Sequence, residues 1–571
     1  MKQLVFGALL ASLVLTACSD ADRADVVYRN GVIFTADPTS PWSSAVAIRD
    51  GRFVYVGDDA ADFIGAETVV YDLDDKLVIP GLIDAHTHPA IVAMTVGQFV
   101  LDESYSKEEL LAAIEKEVAA RPDDEVLIGG YWLNEIFDVT GPRKEDLDAI
   151  ESDRPLIIYD DWTHTVWVNS VALEQGGVTR DTDDIVPGFS FYQKDISGEP
   201  TGWITESAAS VFANNFLSVS PEVENSILEF LTELRSLGVT TVFDAGNFGL
   251  DEEVYAALSR LDKAGKLPVR YHGAYTLFLP YDYDDAIATL KRLGDSYNTE
   301  NVRIDTLKVF NDGVLETRTA ALSADYLDTP GNSGEALLDR EQLHQLILEL
   351  DAESLNLHVH AVGDRTTTAT LDAVQDAHES LQRAPRIRIA MTHLETLKEE
   401  DFARFSELGV IAQVTPHWVS GGDLSWYEAG IGDAALEMMR IQTFIDKGAI
   451  VTFSSDITSE YEWQTDRANP FLGMQVGHNR QDVGTDPESE VLPPIEDRIR
   501  RDELVNGYTG NAAYQLGRES ELGRIAVGYR ADLVVLSQNL FEVDRFRIGE
   551  TKPLAVIMDG EVVHGQDRLQ P

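Results

Sequence analysis

At 571 residues, with 44% hydrophobic and 9% aromatic side chains, the chain can bury a large core and has room for more than one domain. Its 45 Lys+Arg against 98 Asp+Glu leave a formal net charge of −53 without a long single-sign block. That pattern is a solvated acidic surface and excludes nucleic acid as a partner, since phosphate binding needs clustered positive charge.

The first residues read as an address rather than as structure. Lys2 precedes an apolar run from Leu4 to Ala17, which suits a signal-peptide core and is too short to span a bilayer. Leu15-Thr16-Ala17-Cys18 resembles a bacterial lipobox, so residues 1–17 are expected to be a lipoprotein signal peptide, with Cys18 as the lipid-bearing residue and 18–24 as a tether. Cys18 is the single cysteine, which excludes a disulfide within the chain. The expected location is the bacterial cell envelope: lipid-anchored, facing the periplasm, at the outer membrane rather than the inner.

From Ala24 to Ile79 short strands alternate with turns. Val26 to Tyr28 and Val32 to Phe34 flank Arg29-Asn30-Gly31, a hairpin signal, and Arg49-Asp50-Gly51 repeats the device before Phe53 to Val56. Strands of the same character return at 532–536, 554–558 and 562–563. Neither end has many strands with which to bury a face, so one composite β-sandwich built from 25–80 and 516–571 is expected.

The middle of the chain, 81–515, alternates strands and helices, the signature of βαβ units. Strands are expected at Leu82–Ala85, Val239–Phe243, Val269–Tyr275, Ile304–Phe310, Leu355–His360, Ile387–Thr392, Val410–Val414 and Ile450–Ser454. Eight such units predict an α/β fold, a (β/α)8 TIM barrel with its active site at the C-terminal ends of the strands. Residues 90 to 220, after the first strand, are too many for a loop and predict an inserted subdomain over the mouth.

Against that frame, polar residues fall at strand ends. His86 and His88 stand at i and i+2 in Gly81-Leu82-Ile83-Asp84-Ala85-His86-Thr87-His88-Pro89, a spacing that puts both imidazoles on one face of a strand. Lys308, His360, His393 and Asp456 close the fourth, fifth, sixth and eighth strands. Singly, each has a bland reading as a packed histidine or a helix cap. Together they would bury charge inside one barrel, and a shared metal centre relieves that cost. His358 reads as a core residue or as a support behind the centre. His272, His344, His378, His478 and His564 read as surface or packing residues.

The sequence resembles the amidohydrolase superfamily, in its family 3 branch that includes N-substituted formamide deformylases. The likeness rests on the Pro80–His88 run, on His164-Thr165-Val166-Trp167-Val168-Asn169-Ser170, and on Gly198-Glu199-Pro200-Thr201-Gly202-Trp203. It rests further on Asp312-Gly313 with Arg318-Thr319-Ala320, His360-Ala361-Val362-Gly363-Asp364-Arg365, Ser455-Asp456, and the closing Gly528–Leu536 run. The resemblance implies that His86 and His88 bind a more buried metal with Asp456 alongside. It implies that Lys308, carboxylated to N6-carboxylysine, bridges two metals, and that His360 and His393 hold the second. Zinc is the first choice on ligand type, one or two ions, with other divalent metals able to substitute. Asp456 would take the proton from the attacking water and deliver it to the leaving nitrogen. Trp132, His164, Arg318, His417 and Trp418 are candidates to line a pocket for a small-molecule substrate. The implied activity is hydrolysis of a C–N bond of amide type other than a peptide bond. An esterase, lactonase or cyclic-amide hydrolase on the same site, and an inactive ligand-binding lipoprotein, stay open, as does a homo-oligomer.

Overall fold

The computed structural model describes residues 23–102, 104–420 and 424–569. Cys18 and the proposed signal peptide lie outside the described residues, and among these no helix is long and apolar enough to cross a membrane. Eight parallel strands make the central sheet: β1 (Leu82–Thr87), β2 (Val239–Asp244), β3 (Arg270–Leu277), β4 (Val302–Val309), β5 (Asn356–Ala361), β6 (Ile389–His393), β7 (Ile411–Val414) and β8 (Val451–Phe453). They pair in sequence order from β1 to β8. The Asp456 N–H donates to the His86 carbonyl at 2.9 Å, which draws the segment after β8 onto β1 and nearly closes the barrel.

All eight strands stand where the sequence predicts them, with ends moved by a few residues; β3 runs on to Leu277. They are legible because each is covered on both faces and reads as a β-branched and apolar run, such as Val239-Thr240-Thr241-Val242-Phe243. The helices between them bury one stripe each: Pro221–Ser236, capped by Ser220, turns Ile227, Phe230, Leu231 and Leu234 inward.

Two further sheets come from the chain ends. One has the order Arg52–Gly57, Ala45–Arg49, Val26–Arg29, Val69–Asp72; the other has Glu561–His564, Pro553–Met558, Leu533–Leu536, Leu77–Pro80, Val32–Phe34, Trp42–Ser43. They share a core in which Tyr28, Val46 and Phe53 meet Ile33, Leu533 and Ile557. The expected hairpin at Asn30-Gly31 is not formed: Val26–Arg29 pairs with Ala45–Arg49 and Val69–Asp72, while Val32–Phe34 pairs in the other sheet. The turn carries the chain from one sheet to the other, which lets Tyr28 and Ile33 both face the shared core. Asp50-Gly51 does make a hairpin, with both residues at positive φ as its tight turn requires.

The sandwich seats on the base of the barrel. Leu77–Pro80 leads through Gly81 into β1, and a Cβ at Gly81 would lie 2.6 Å from Thr240 Oγ1 and 2.9 Å from Asp532 Cβ. Arg270, at the start of β3, is buried between Asp532 and Asp559 of the sandwich.

Between β1 and β2 the insertion carries a six-stranded sheet in the order Tyr192–Lys194, Pro200–Thr205, Thr165–Val168, Leu156–Asp160, Leu127–Trp132, Phe99–Val100. The turn between its two central strands, Leu156–Asp160 and Thr165–Val168, reaches the mouth, where Thr163 Oγ1 lies 3.2 Å from Thr458 Oγ1, just past Asp456.

Candidate active site

The barrel gathers six side chains in one cavity at its mouth: His86, His88, Lys308, His360, His393 and Asp456 all line it. His86 Nε2 and His88 Nε2 lie 3.4 and 3.6 Å from Asp456 Oδ1, and His393 Nδ1 lies 3.4 Å from Asp456 Oδ2. These spacings are longer than good hydrogen bonds. They suit ligand atoms around one ion, since two ligands about 2.1 Å from a tetrahedral zinc stand ~3.4 Å apart. Among the described residues, His86, His88 and Asp456 are the group that brings three ligand atoms within 4.8 Å of one another.

The outer nitrogens are already spoken for, which fixes which atom each ring presents. His86 Nδ1 meets Gln413 Oε1 at 3.0 Å, Thr392 Oγ1 at 3.1 Å and His358 Nε2 at 3.1 Å. His358 thus stands behind His86 rather than in the cavity. His88 Nδ1 meets the Gly246 carbonyl at 3.0 Å, and His360 Nδ1 meets Asp312 Oδ1 at 3.0 Å. Nε2 of all three is left for the centre. His393 Nδ1 is buried with no hydrogen-bond partner, an orphan donor or acceptor that a metal would satisfy.

Electrostatics favour ligation. Burial, then neighbouring Lys308, pushes the His86 and His360 imidazoles well below their usual 6.5, and burial takes His88 down to about 3. Neutral imidazole is the form that binds metal. Burial drags the Lys308 ammonium down to about 7 against the pull of Asp456 and Asp312, and burial lifts Asp456 to about 7. The donor set therefore fits a divalent ion.

Backbone strain gathers here too. His393, Leu394, Asp456 and Glu206 hold φ of 75°, 57°, 48° and 55°, a region that non-glycine residues avoid. Asp84, inside the first-strand motif, accepts from the Ser455 N–H at 3.1 Å and the Ser455 hydroxyl at 2.6 Å, and so holds the turn that presents Asp456.

Of the five pocket candidates, His164 and Trp418 line the cavity. His164 Nδ1 lies 2.6 Å from Glu206 Oε2, while Glu206 Oε1 also takes hydrogen bonds from Thr317 and Thr319. Burial alone would lower His164, but Glu206 reverses this and raises it to about 9. Trp418 stacks on His393 with ring centres 5.5 Å apart.

The other three are placed elsewhere. Trp132 is buried in the insertion's core against Phe137 and Trp167, its N–H on the Ile158 carbonyl, and it borders a separate hollow. Arg318 is spent on Asp328, the Leu315 and Trp426 carbonyls and the Trp426 ring. His417 gives Nε2 to the Asn469 carbonyl at 3.0 Å and packs on Gly473. Sequence reasoning missed Glu206, Gln413, Asp84 and Asp312 as working residues. Asp312, already part of a quoted motif, accepts N–H donors from Val362 and Gly363 as well as His360.

A near-closed parallel barrel that gathers imidazoles, a lysine and an aspartate at its C-terminal mouth defines the class of metal-dependent α/β-barrel hydrolases. The chain belongs to the amidohydrolase family, whose model matches residues 69–564. It is similar to the exoenzymes regulatory protein AepA of Pectobacterium carotovorum subsp. carotovorum, 30% identical over 429 residues, 72% of this chain and 90% of that one. It is also similar to the N-substituted formamide deformylase of Arthrobacter pascens, 25% identical over 553 residues, 94% of this chain and 97% of that one. Among solved structures, an uncharacterized metal-dependent hydrolase from Pyrococcus horikoshii OT3 shares the fold, with a TM-score of 0.67 at 23% identity over 91% of this chain and 99% of that one.

Proposed function

We propose that this protein hydrolyses the C–N bond of a small amide-type molecule at a divalent-metal centre, zinc first, held by His86, His88, His360, His393, Asp456 and a carboxylated Lys308. The observation that carries the reading is the meeting of these six side chains in one buried cavity. An ion bound there acidifies the attacking water and polarises the substrate carbonyl. The chain's own residues do the rest. Asp456, lifted to about 7, can both accept the water's proton and return one to the leaving nitrogen near neutral pH. Lys308, lowered to about 7, offers the unprotonated amine that carbon dioxide can carboxylate, which replaces a cation with an anionic oxygen ligand. His164, held by Glu206, keeps Nε2 for the cavity and sets a donor against the substrate oxygen.

The test is metal analysis coupled to an amide screen. Purified protein should carry one or two divalent ions per chain, lose turnover on chelation and regain it with zinc. Metal bound without turnover of any amide or ester would favour a binding protein instead. Placement in the envelope follows from Cys18: labelled palmitate should enter the full-length chain and vanish in Cys18→Ala, and unchanged labelling would remove the anchor.

A further inference from the structure

Among the carboxylates that the hydrolytic scheme leaves idle, three line the same cavity away from the Glu462 turn. Asp161 comes from the insertion, Glu316 from the segment after β4 and Glu395 from the turn after β6. They are neighbours: besides burial, Glu316, Glu395 and Asp161 all act on the Tyr427 hydroxyl and keep it protonated. Glu316 is 8% exposed, accepts from the Tyr427 hydroxyl, and takes the Trp426 indole N–H on its carbonyl at 3.1 Å. Glu395 is only 5% exposed, and its Oε2 is buried with no hydrogen-bond partner. A buried carboxyl oxygen without a hydrogen-bond partner is costly, so Glu395 calls for a donor that the described residues do not supply.

Two kinds of cation could answer. A metal among these acids is disfavoured, because among the described residues the close three-ligand group is His86, His88 and Asp456, and the acid wall is spread more widely than one ion's coordination sphere. The chain's own cations there are committed elsewhere. Among the described residues Lys308 is the one lysine or arginine lining the cavity and belongs to the metal centre, His164 is held by Glu206, and Arg318 is turned to Asp328. Trp162 and Trp418 line the cavity as well, edge to face at 5.2 Å, and Trp418 lies on His393. Aromatic faces beside carboxylates are the setting that receives an organic cation. Through Trp418 and His393 that setting adjoins the metal centre.

We propose that the cavity takes a substrate bearing an alkylammonium or guanidinium group, seated against Glu316, Glu395 and Asp161 while its scissile C–N bond lies at the metal centre. For the scissile bond this rests on the hydrolase reading; for the seat it does not. Water is the only co-reactant: its oxygen joins the acyl carbon, the C–N bond breaks, and the nitrogen leaves with a proton.

The experiment compares monoacetylated 1,4-diaminobutane with the isosteric N-pentylacetamide on the metal-loaded, full-length protein. The cationic amide should have a kcat/KM at least about tenfold higher, mostly through KM, and Glu395→Gln and Glu316→Gln should each cut that ratio about tenfold. A ratio near one in the wild type, or a ratio unmoved in both variants, overturns the seat. If neither amide is turned over, neither carries the scissile bond the metal centre takes, and calorimetry with N-butylguanidinium decides the seat alone. Binding weakened about tenfold in a folded Glu316→Gln or Glu395→Gln variant supports it, and no binding to the wild type overturns it.

Discussion

At the base of the barrel Arg270 sits between Asp532 and Asp559, Arg388 reaches Glu519, and Arg518 holds Glu521 at 2.6 Å. At the mouth, His86, His88, His360 and His393 crowd Lys308, and Glu316 and Asp312 crowd Glu395. Opposites paired at the base each favour the other's charged form. At the mouth burial favours the neutral forms and prevails: Lys308 falls to about 7 against the pull of Asp456 and Asp312, and Asp456 and Asp312 rise to about 7. Groups held that close to a change of charge are costly to keep and useful for moving protons. The base stabilises the fold; the mouth holds the chemistry in reserve.

The contrast breaks first at Asp456. With metal in excess, Asp456→Asn should cost about 10⁴ in kcat/KM, since it removes both a proton carrier and a ligand. His164→Asn should cost less, about 10². Asp456→Asn should leave the metal-free melting temperature unchanged, because it replaces a buried ionisable group with a neutral one of the same shape. His164→Asn should lower it, because it leaves buried Glu206 without its cation. Rates unchanged in Asp456→Asn would remove the proposed chemistry; a melting point that falls with activity in that variant would make the mouth structural.

How much of this contrast the sequence displayed differs between the two ends of each side chain. The barrel strands and the six mouth residues are legible because position along a strand fixes where a side chain ends up, and β1 with His86 and His88 shows this most directly. Trp132, Arg318 and His417 misled because residue type does not reveal what a neighbour from another element already takes. The carbonyl that occupies His417 belongs to Asn469, and the acid that occupies Arg318 is Asp328. Glu206, Glu316 and Glu395 are three among 98 acidic residues, and nothing local sets them apart. Only the insertion's return to the mouth gives Glu206 its meaning, since its N–H is bonded to the His164 carbonyl.

A smaller effect sharpens the base. Asp532→Asn takes one carboxylate from Arg270, which is 2% exposed, and leaves Asp559, which is partly in solvent. The loss should be about 1–3 kcal/mol of unfolding free energy, with kcat/KM within about twofold of wild type. Chemical denaturation and steady-state kinetics on the same preparation check it. A loss of activity greater than the loss of stability would erase the division between the two ends.

The smallest expected effect is a pH dependence at the base. His272, buried in β3, has Nε2 3.2 Å from Arg518 Nη1. Burial first, then Arg518, Arg303 and Arg270, pushes its imidazole well below 6.5. The unfolded chain therefore binds a proton near pH 6.5 that the folded chain refuses. The contribution of His272 is fully present above pH 6.5 and is lost as pH falls below it, by up to about 1.4 kcal/mol per pH unit. The mouth histidines carry the same sign, so the reading must be differential: wild type should lose melting temperature faster than His272→Asn between pH 6.5 and 5. Parallel curves would mean that His272 is already protonated in the fold, which the surrounding arginines oppose. They would also mean that the base, like the mouth, keeps a charge it does not pair.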